Sequence, residues 1–100
     1  MTYRINYSKV ISQADAISDD AERLSGQIKL LSQMEQDCRS IWKGQAANAF
    51  AAKLAALKNE MTRTRTQMTH LASTIRYCAD RIRREDEEAE RRAAALNSGK

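Results

Sequence analysis

The sequence predicts an all-α fold: an antiparallel two-helix hairpin that turns at Trp42-Lys43-Gly44 and dimerises into a four-helix bundle. Three observations predict it. The 100 residues hold no Pro and only three Gly, at positions 26, 44 and 99, so the residues that punctuate turns are nearly missing. Apolar residues recur at alternating spacings of three and four in each half of the chain, the mark of a helix packed lengthwise against another helix. Gly44 is the only Gly between the two periodic runs. The length fits one domain, spanning residues 1–100. A composition with 30% charged and 5% aromatic residues favours long helices over a sheet.

The first helix is predicted over about residues 8–40, with 1–7 flexible. Asn6 and Ser8 are both candidate N-caps, since either side chain accepts a bond from a free backbone N–H of the first turn. Its apolar seam runs Val10, Ala14, Ile17, Ala21, Leu24, Ile28, Leu31, Cys38 and Trp42, with Glu35 as the one polar member. The turn occupies 41–45, and Gly44 is the natural place for a positive φ that ends the helix.

The second helix is predicted over about 46–94, with 97–100 flexible. Its stripe runs Phe50, Leu54, Leu57, Met61, Met68, Leu71, Ile75, Cys78, Ile82 and Ala89, with Leu96 as its last member and Thr64 and Glu85 as polar members. Residues 61–68 alternate with period two and are rich in Thr, which in isolation reads as strand. No turn residues bound that stretch and the three-four stripe runs through it, so helix is predicted there too. At about 1.5 Å per residue this helix must overhang the first. Residues 80–92 hold five Arg and six acids. Pairs four apart (Asp80–Arg84, Arg84–Glu88, Glu87–Arg91, Glu88–Arg92) support an exposed helix with little packing.

Leu30, Met34 and Ile41 form a second apolar strip near the turn, and Ala47, Ala51 and Ala55 let another helix approach closely. Stripes widened in this way suit four helices rather than two. The predicted helix–helix and dimer contacts are therefore Ile17, Leu24, Ile28, Leu31, Met34, Cys38, Phe50, Leu54, Leu57, Met61, Met68, Leu71 and Ile75.

No catalytic constellation is present in the pattern, so no enzyme activity, cofactor, metal site or small-molecule substrate is expected. His70 is the only His and reads as a surface residue beside the seam. No Gly-rich loop offers to cradle phosphate. Cys38 and Cys78 read as two small seam residues, or as a bridge between subunits; within one hairpin they lie too far apart to bond. The formal charge of +4 and pI near 9.3 could serve nucleic acid. Lys58, Arg63, Arg65 and Arg76 give the middle of the second helix a local excess, but Arg63 and Arg65 point in different directions and no aromatic residues stand among them, so nucleic acid is not expected as a partner. No apolar run spans a bilayer, and the first residues lack the apolar core of a cleavable signal peptide.

Trp42-Lys43-Gly44, central in a chain of this length and flanked by two amphipathic helices, resembles the turn of the WXG family, the early-secreted-antigen-like proteins of type VII secretion. Gly44-Gln45-Ala46-Ala47-Asn48-Ala49-Phe50 also looks like the start of that family's second helix, and Ala79-Asp80-Arg81-Ile82 like its approach to an acidic end. The resemblance implies a non-enzymatic protein made in a bacterial cytoplasm and secreted folded without a cleaved signal peptide. It would be a homodimer or a heterodimer with another such hairpin, exported by a membrane ATPase, acting as an effector or as the export partner of a larger substrate such as a toxin. It implies an export signal in two parts. One is Trp42 with Gly44. The other is a Tyr with an acid four residues on; here Tyr77 is followed by Asp80 at the third position and Arg81 at the fourth. Read without the resemblance, the same residues fit a cytoplasmic helical adaptor that is never exported.

Overall fold

The computed structural model describes residues 6–98. It contains two helices, α1 (Tyr7–Ile41) and α2 (Gln45–Ser98), packed antiparallel into a rod of 85 × 15 × 13 Å. Residues 1–5 and 99–100, part of the stretches expected to be flexible, lie outside the described residues. Tyr7, Ile41, Gln45 and residues 95–98, expected outside the helices, fall within them.

Of the two candidate caps, Asn6 is used. Its side-chain oxygen accepts the Lys9 amide at 3.1 Å, filling one of the donors that the first turn leaves open. The strand-like stretch is helical for a local reason. Thr62, Thr66 and Thr69 donate their hydroxyls to the carbonyls of Lys58, Thr62 and Arg65 at 2.8, 3.1 and 3.0 Å. Bonding four residues back satisfies hydroxyls that would otherwise compete with the helix.

As far as Cys38 the α1 seam follows its predicted residues, with Ala14 and Ala21 buried and Ile17, Leu24, Ile28, Leu31 and Cys38 half-buried; Trp42, expected as its last member, is the exposed C-cap instead. The α2 seam does not. Leu54, Met61, Met68, Ile75 and Ile82 face α1 as predicted, but the alternate positions are Ala51, Lys58, Arg65, Ala72 and Ala79. Phe50, Leu57, Leu71 and Cys78, predicted for those places, sit one position over and are exposed. Both sets repeat every seven residues, so periodicity alone cannot choose between them. Small side chains and a cationic ladder settle the choice. Ala47, Ala51, Ala72 and Ala79 meet α1 with at most 5% exposure. The Ala47 and Ala51 that were expected to receive a third helix are therefore already occupied by α1.

Cations of α2 reach across to α1 along the whole pairing. Lys58 bonds Glu35 at 3.0 Å, Arg65 bonds the Ser25 hydroxyl at 3.5 Å, and Arg76 bonds Asp15 at 2.7 Å and Ser18 at 3.0 Å. The Arg83 guanidinium lies 5.3 Å over the Tyr7 ring. Glu35, the polar member of the α1 seam, is thus partnered by Lys58 and by Arg39 at 3.2 Å. The carboxyl of Glu35 is held below its ordinary 4.5, first by the hydrogen bond from Lys58 and then by that from Arg39.

Among the described residues the pairing extends at least to Arg83 against Tyr7, so Tyr77 and Asp80 lie within it. From Asp80 onward local pairs line the helix: Asp80–Arg84 at 3.0 Å, Arg83–Glu87 at 3.1 Å and Glu88–Arg92 at 2.8 Å.

Because Ala72 is fully buried against α1, Ala72→Leu should overpack the seam and cost roughly 1–3 kcal/mol of stability. Urea unfolding followed by circular dichroism checks this. Glu35 gives a pH prediction. A carboxyl pKa depressed by folding adds stability above the ordinary value of 4.5, and that stability is lost as pH falls through the folded value. Melting temperatures of Glu35→Gln should therefore fall less steeply below pH 4.5 than those of the parent chain.

Candidate functional site

Two features remain once the hairpin is satisfied: the turn, and an apolar strip along one edge of the seam. The turn is built from three consecutive backbone states. Trp42 leaves the helix at φ −98° and ψ 138°, while its N–H still donates to the Cys38 carbonyl at 2.9 Å. Gly44 takes φ +109°, a region that L side chains rarely enter. Its carbonyl then accepts the Asn48 amide at 3.1 Å and opens α2. The positive φ predicted for Gly44 is present, but its position is the entrance to the second helix and not the cap of the first.

Trp42 packs edge-on against Phe50, with ring centroids 5.9 Å apart and planes at 81°, a favoured aromatic geometry. Trp42 as a residue is nevertheless 57% exposed. Met34, Asp37, Cys38, Ile41, Trp42, Phe50 and Leu54 line an open groove of about 330 Å³ at this end. Inside it the Cys38 thiol approaches the Ala47 carbonyl at 3.7 Å. Leu30, Met34 and Ile41 of α1 and Phe50 and Leu57 of α2 are all exposed; Met34, Ile41 and Phe50 share the groove, and Leu30 and Leu57 stand four and seven residues along their helices from Met34 and Phe50.

On α2 this edge continues through Thr64, Leu71 and Cys78, each seven residues from the last and each exposed. On α1 the residues that follow Met34 at the same spacing are Gln27, Asp20 and Gln13, so the apolar character stops. Among the described residues no large side chain is fully buried. Lys58, Arg65 and Arg76, which gave the basic local excess, are engaged with α1.

The other predicted site residues stand apart from the groove. Tyr77 is exposed on α2, and its hydroxyl accepts from Arg81 at 3.3 Å. Asp80, one turn on, is pulled below the ordinary carboxylate range by its hydrogen bond from Arg83 at 2.7 Å, with Arg84 adding to the effect. The two lie along the paired part of α2, before the overhang. Cys38 and Cys78 are both free thiols. Among the described residues no group of His, Cys, Asp and Glu could hold a metal ion, and no helix is long and apolar enough to cross a membrane. Sequence reasoning missed Ala72, Ala79, Lys58 and Arg65 as seam residues; their seven-residue spacing with Ala51 was the available signal.

These features define a class: a helical hairpin with a Trp-x-Gly turn at one end and an uncovered apolar edge. A family model described as WXG100, "Proteins of 100 residues with WXG", matches residues 2–87, and the chain belongs to that family. The family is associated with substrates of type VII secretion, and its members typically pair as dimers; they are small helical secreted proteins not known as enzymes. Comparison with curated proteins and with solved structures gives no match.

Gly44→Ala places a Cβ in open space, so any cost comes from the backbone conformation alone. It should destabilise the hairpin by about 1–3 kcal/mol. The loss should appear as a drop in melting temperature with no change in helical signal at low temperature.

Proposed function

We propose that this chain is a non-enzymatic substrate of a type VII secretion system. It leaves the bacterial cytoplasm folded, paired with a second hairpin, and serves as a secreted effector or as the export partner of a larger substrate such as a toxin. The observation that carries the reading is the family match over residues 2–87, which spans the Trp42–Gly44 turn and both helices. The turn supports it further. Trp42, 57% exposed at the bend beside an apolar groove, offers a surface that a receptor could take.

In this reading Trp42 and Gly44 form one half of the export signal and Tyr77 with Asp80 the other. The secretion ATPase is the partner that reads them. Asp80 stands three residues after Tyr77 and is tied to Arg83 and Arg84. The exposed Tyr77 ring therefore carries more of the second element than the acid does.

Expression in a host with the system intact should place the protein in the culture medium, and deletion of the ATPase should retain it in the cells. Retention in both strains would overturn the reading. Trp42→Ala should remove most of the export while lowering the melting temperature by only a few degrees. Loss of export strictly in proportion to lost stability would make Trp42 a structural residue instead. Tyr77→Ala should reduce export with the helical signal unchanged, whereas Asp80→Asn should leave it near the parent level.

A further inference from the structure

We infer that the paired helices carry a hinge near their middle, where the Ser25-Gly26 step of α1 and the Thr-rich stretch of α2 lie level and yield together. The hinge rests on packing and backbone chemistry alone and does not depend on the secretion reading.

The buried residues fall into two groups. Ala14, Ala21, Ala72 and Ala79 tie the helices together towards one end, and Ala47, Ala51 and Leu54 do so beside the turn. Between the groups no residue of 22–46 or of 55–71 is buried. At the helical rise this gap on α2 is about 25 Å long. What joins the helices across it is polar or pliable. Lys58 meets Glu35 at 3.0 Å, and Arg65 meets Ser25 at 3.5 Å. Leu24 and Ile28 of α1 are only half-buried. So are Met61 and Met68, one turn to either side of Arg65, and an unbranched thioether refits when its surroundings shift.

The Arg65–Ser25 contact sets the level of the two weak points. Gly26, the next residue of α1, is the only Gly inside a helix among the described residues. Only Pro is a poorer helix former. Gly26 is not there for close packing or for a left-handed turn. A Cβ at that position would meet nothing within 4 Å, and positive φ is confined to Gly44. What Gly26 contributes is backbone freedom, and a Gly beside a Ser is a recognised place for a helix to kink.

The facing stretch of α2 is weak for a different reason. Thr62, Thr66 and Thr69 donate their hydroxyls to the carbonyls of Lys58, Thr62 and Arg65. These bonds satisfy the hydroxyls, yet each adds a second donor to a carbonyl of the helix ladder, and helices bend at such places. Thr64 adds a further β-branched residue, stiff at χ1 and a modest helix former. A weak point in one helix alone would be splinted by the other. Here the two coincide, so a compliant middle joins two arms of firmer packing.

Hydrogen exchange of the full chain, read by mass spectrometry, tests the hinge. Amides of 24–30 and 60–69 should exchange about tenfold faster than those of 14–21 and 72–79. Gly26→Ala, which adds its Cβ in open space, should slow exchange about fivefold in 24–30 and also across the seam in 60–69, with 14–21 and 72–79 unchanged. Thr62→Ala with Thr66→Ala should do the same from the other side. A middle as protected as 14–21 and 72–79, slowing confined to the substituted helix, or slowing spread evenly along the chain overturns the inference. Spin labels give a second arm, at Gln13→Cys and Ser40→Cys on α1, with Cys38→Ser and Cys78→Ser and the labelled chain diluted in unlabelled protein. The distance distribution should be broad and should narrow when Gly26→Ala is added. Equal widths overturn the hinge.

Discussion

The rest of the structure depends on the thinness of the seam between the helices. Its most deeply buried residues are mainly alanines, Ala14, Ala21, Ala47, Ala51, Ala72 and Ala79, set among Leu, Ile and Met side chains that are for the most part only half-buried. Alanine has no side-chain freedom to lose and lets two backbones approach closely, yet it removes little apolar area from water. A hairpin built on such a seam is well shaped and weakly cored. Several larger apolar residues, Leu30, Met34, Ile41, Phe50, Leu57 and Leu71, stay exposed beside the seam.

The opposite need, holding two long helices in register, is met by charge. Lys58, Arg65, Arg76 and Arg83 each reach a different partner on α1, from Glu35 near the turn to Tyr7 at the far end. Hydrogen bonds of fixed geometry specify alignment in a way that a stripe of alanines cannot, because small smooth side chains slide past one another at little cost. The division of labour makes the molecule two-sided. Polar pairs fix the register within the hairpin, and apolar residues remain for contact between chains.

Much of this was legible in the sequence. The missing Pro, the lone Gly44 between two seams and the three-four spacing lead directly to the hairpin, because backbone chemistry dictates them locally. The residues of the turn, the outward strip of Leu30, Met34 and Ile41, and the Asn6 cap follow from the same local rules. The rotation of α2 does not. Phe50, Leu57, Leu71 and Cys78 lie beside Ala51, Lys58, Ala72 and Ala79 in the same seven-residue frame, and hydrophobicity favours the larger set. What decides is a tertiary matter, namely which set allows Arg76 to reach Asp15 and Lys58 to reach Glu35. The Thr-rich stretch shows a similar limit: β-branched residues argue for strand until their hydroxyls find carbonyls one turn back. Tyr77 and Asp80 mark the boundary of what can be read. Their places on the helix are visible, while the role of the spacing between them belongs to a receptor.

The elongated form has a consequence for how the molecule moves through solution. A compact chain of 100 residues has a radius of gyration of about 13 Å. This one has 23.4 Å, with an axial ratio near six implied by its 85 × 15 × 13 Å envelope. Friction rises with elongation, so a single copy diffuses and elutes like a globular protein of considerably greater mass. Its early elution from a sizing column would therefore be no sign of association, and light scattering or sedimentation equilibrium, which weigh particles regardless of shape, would be needed to count the chains.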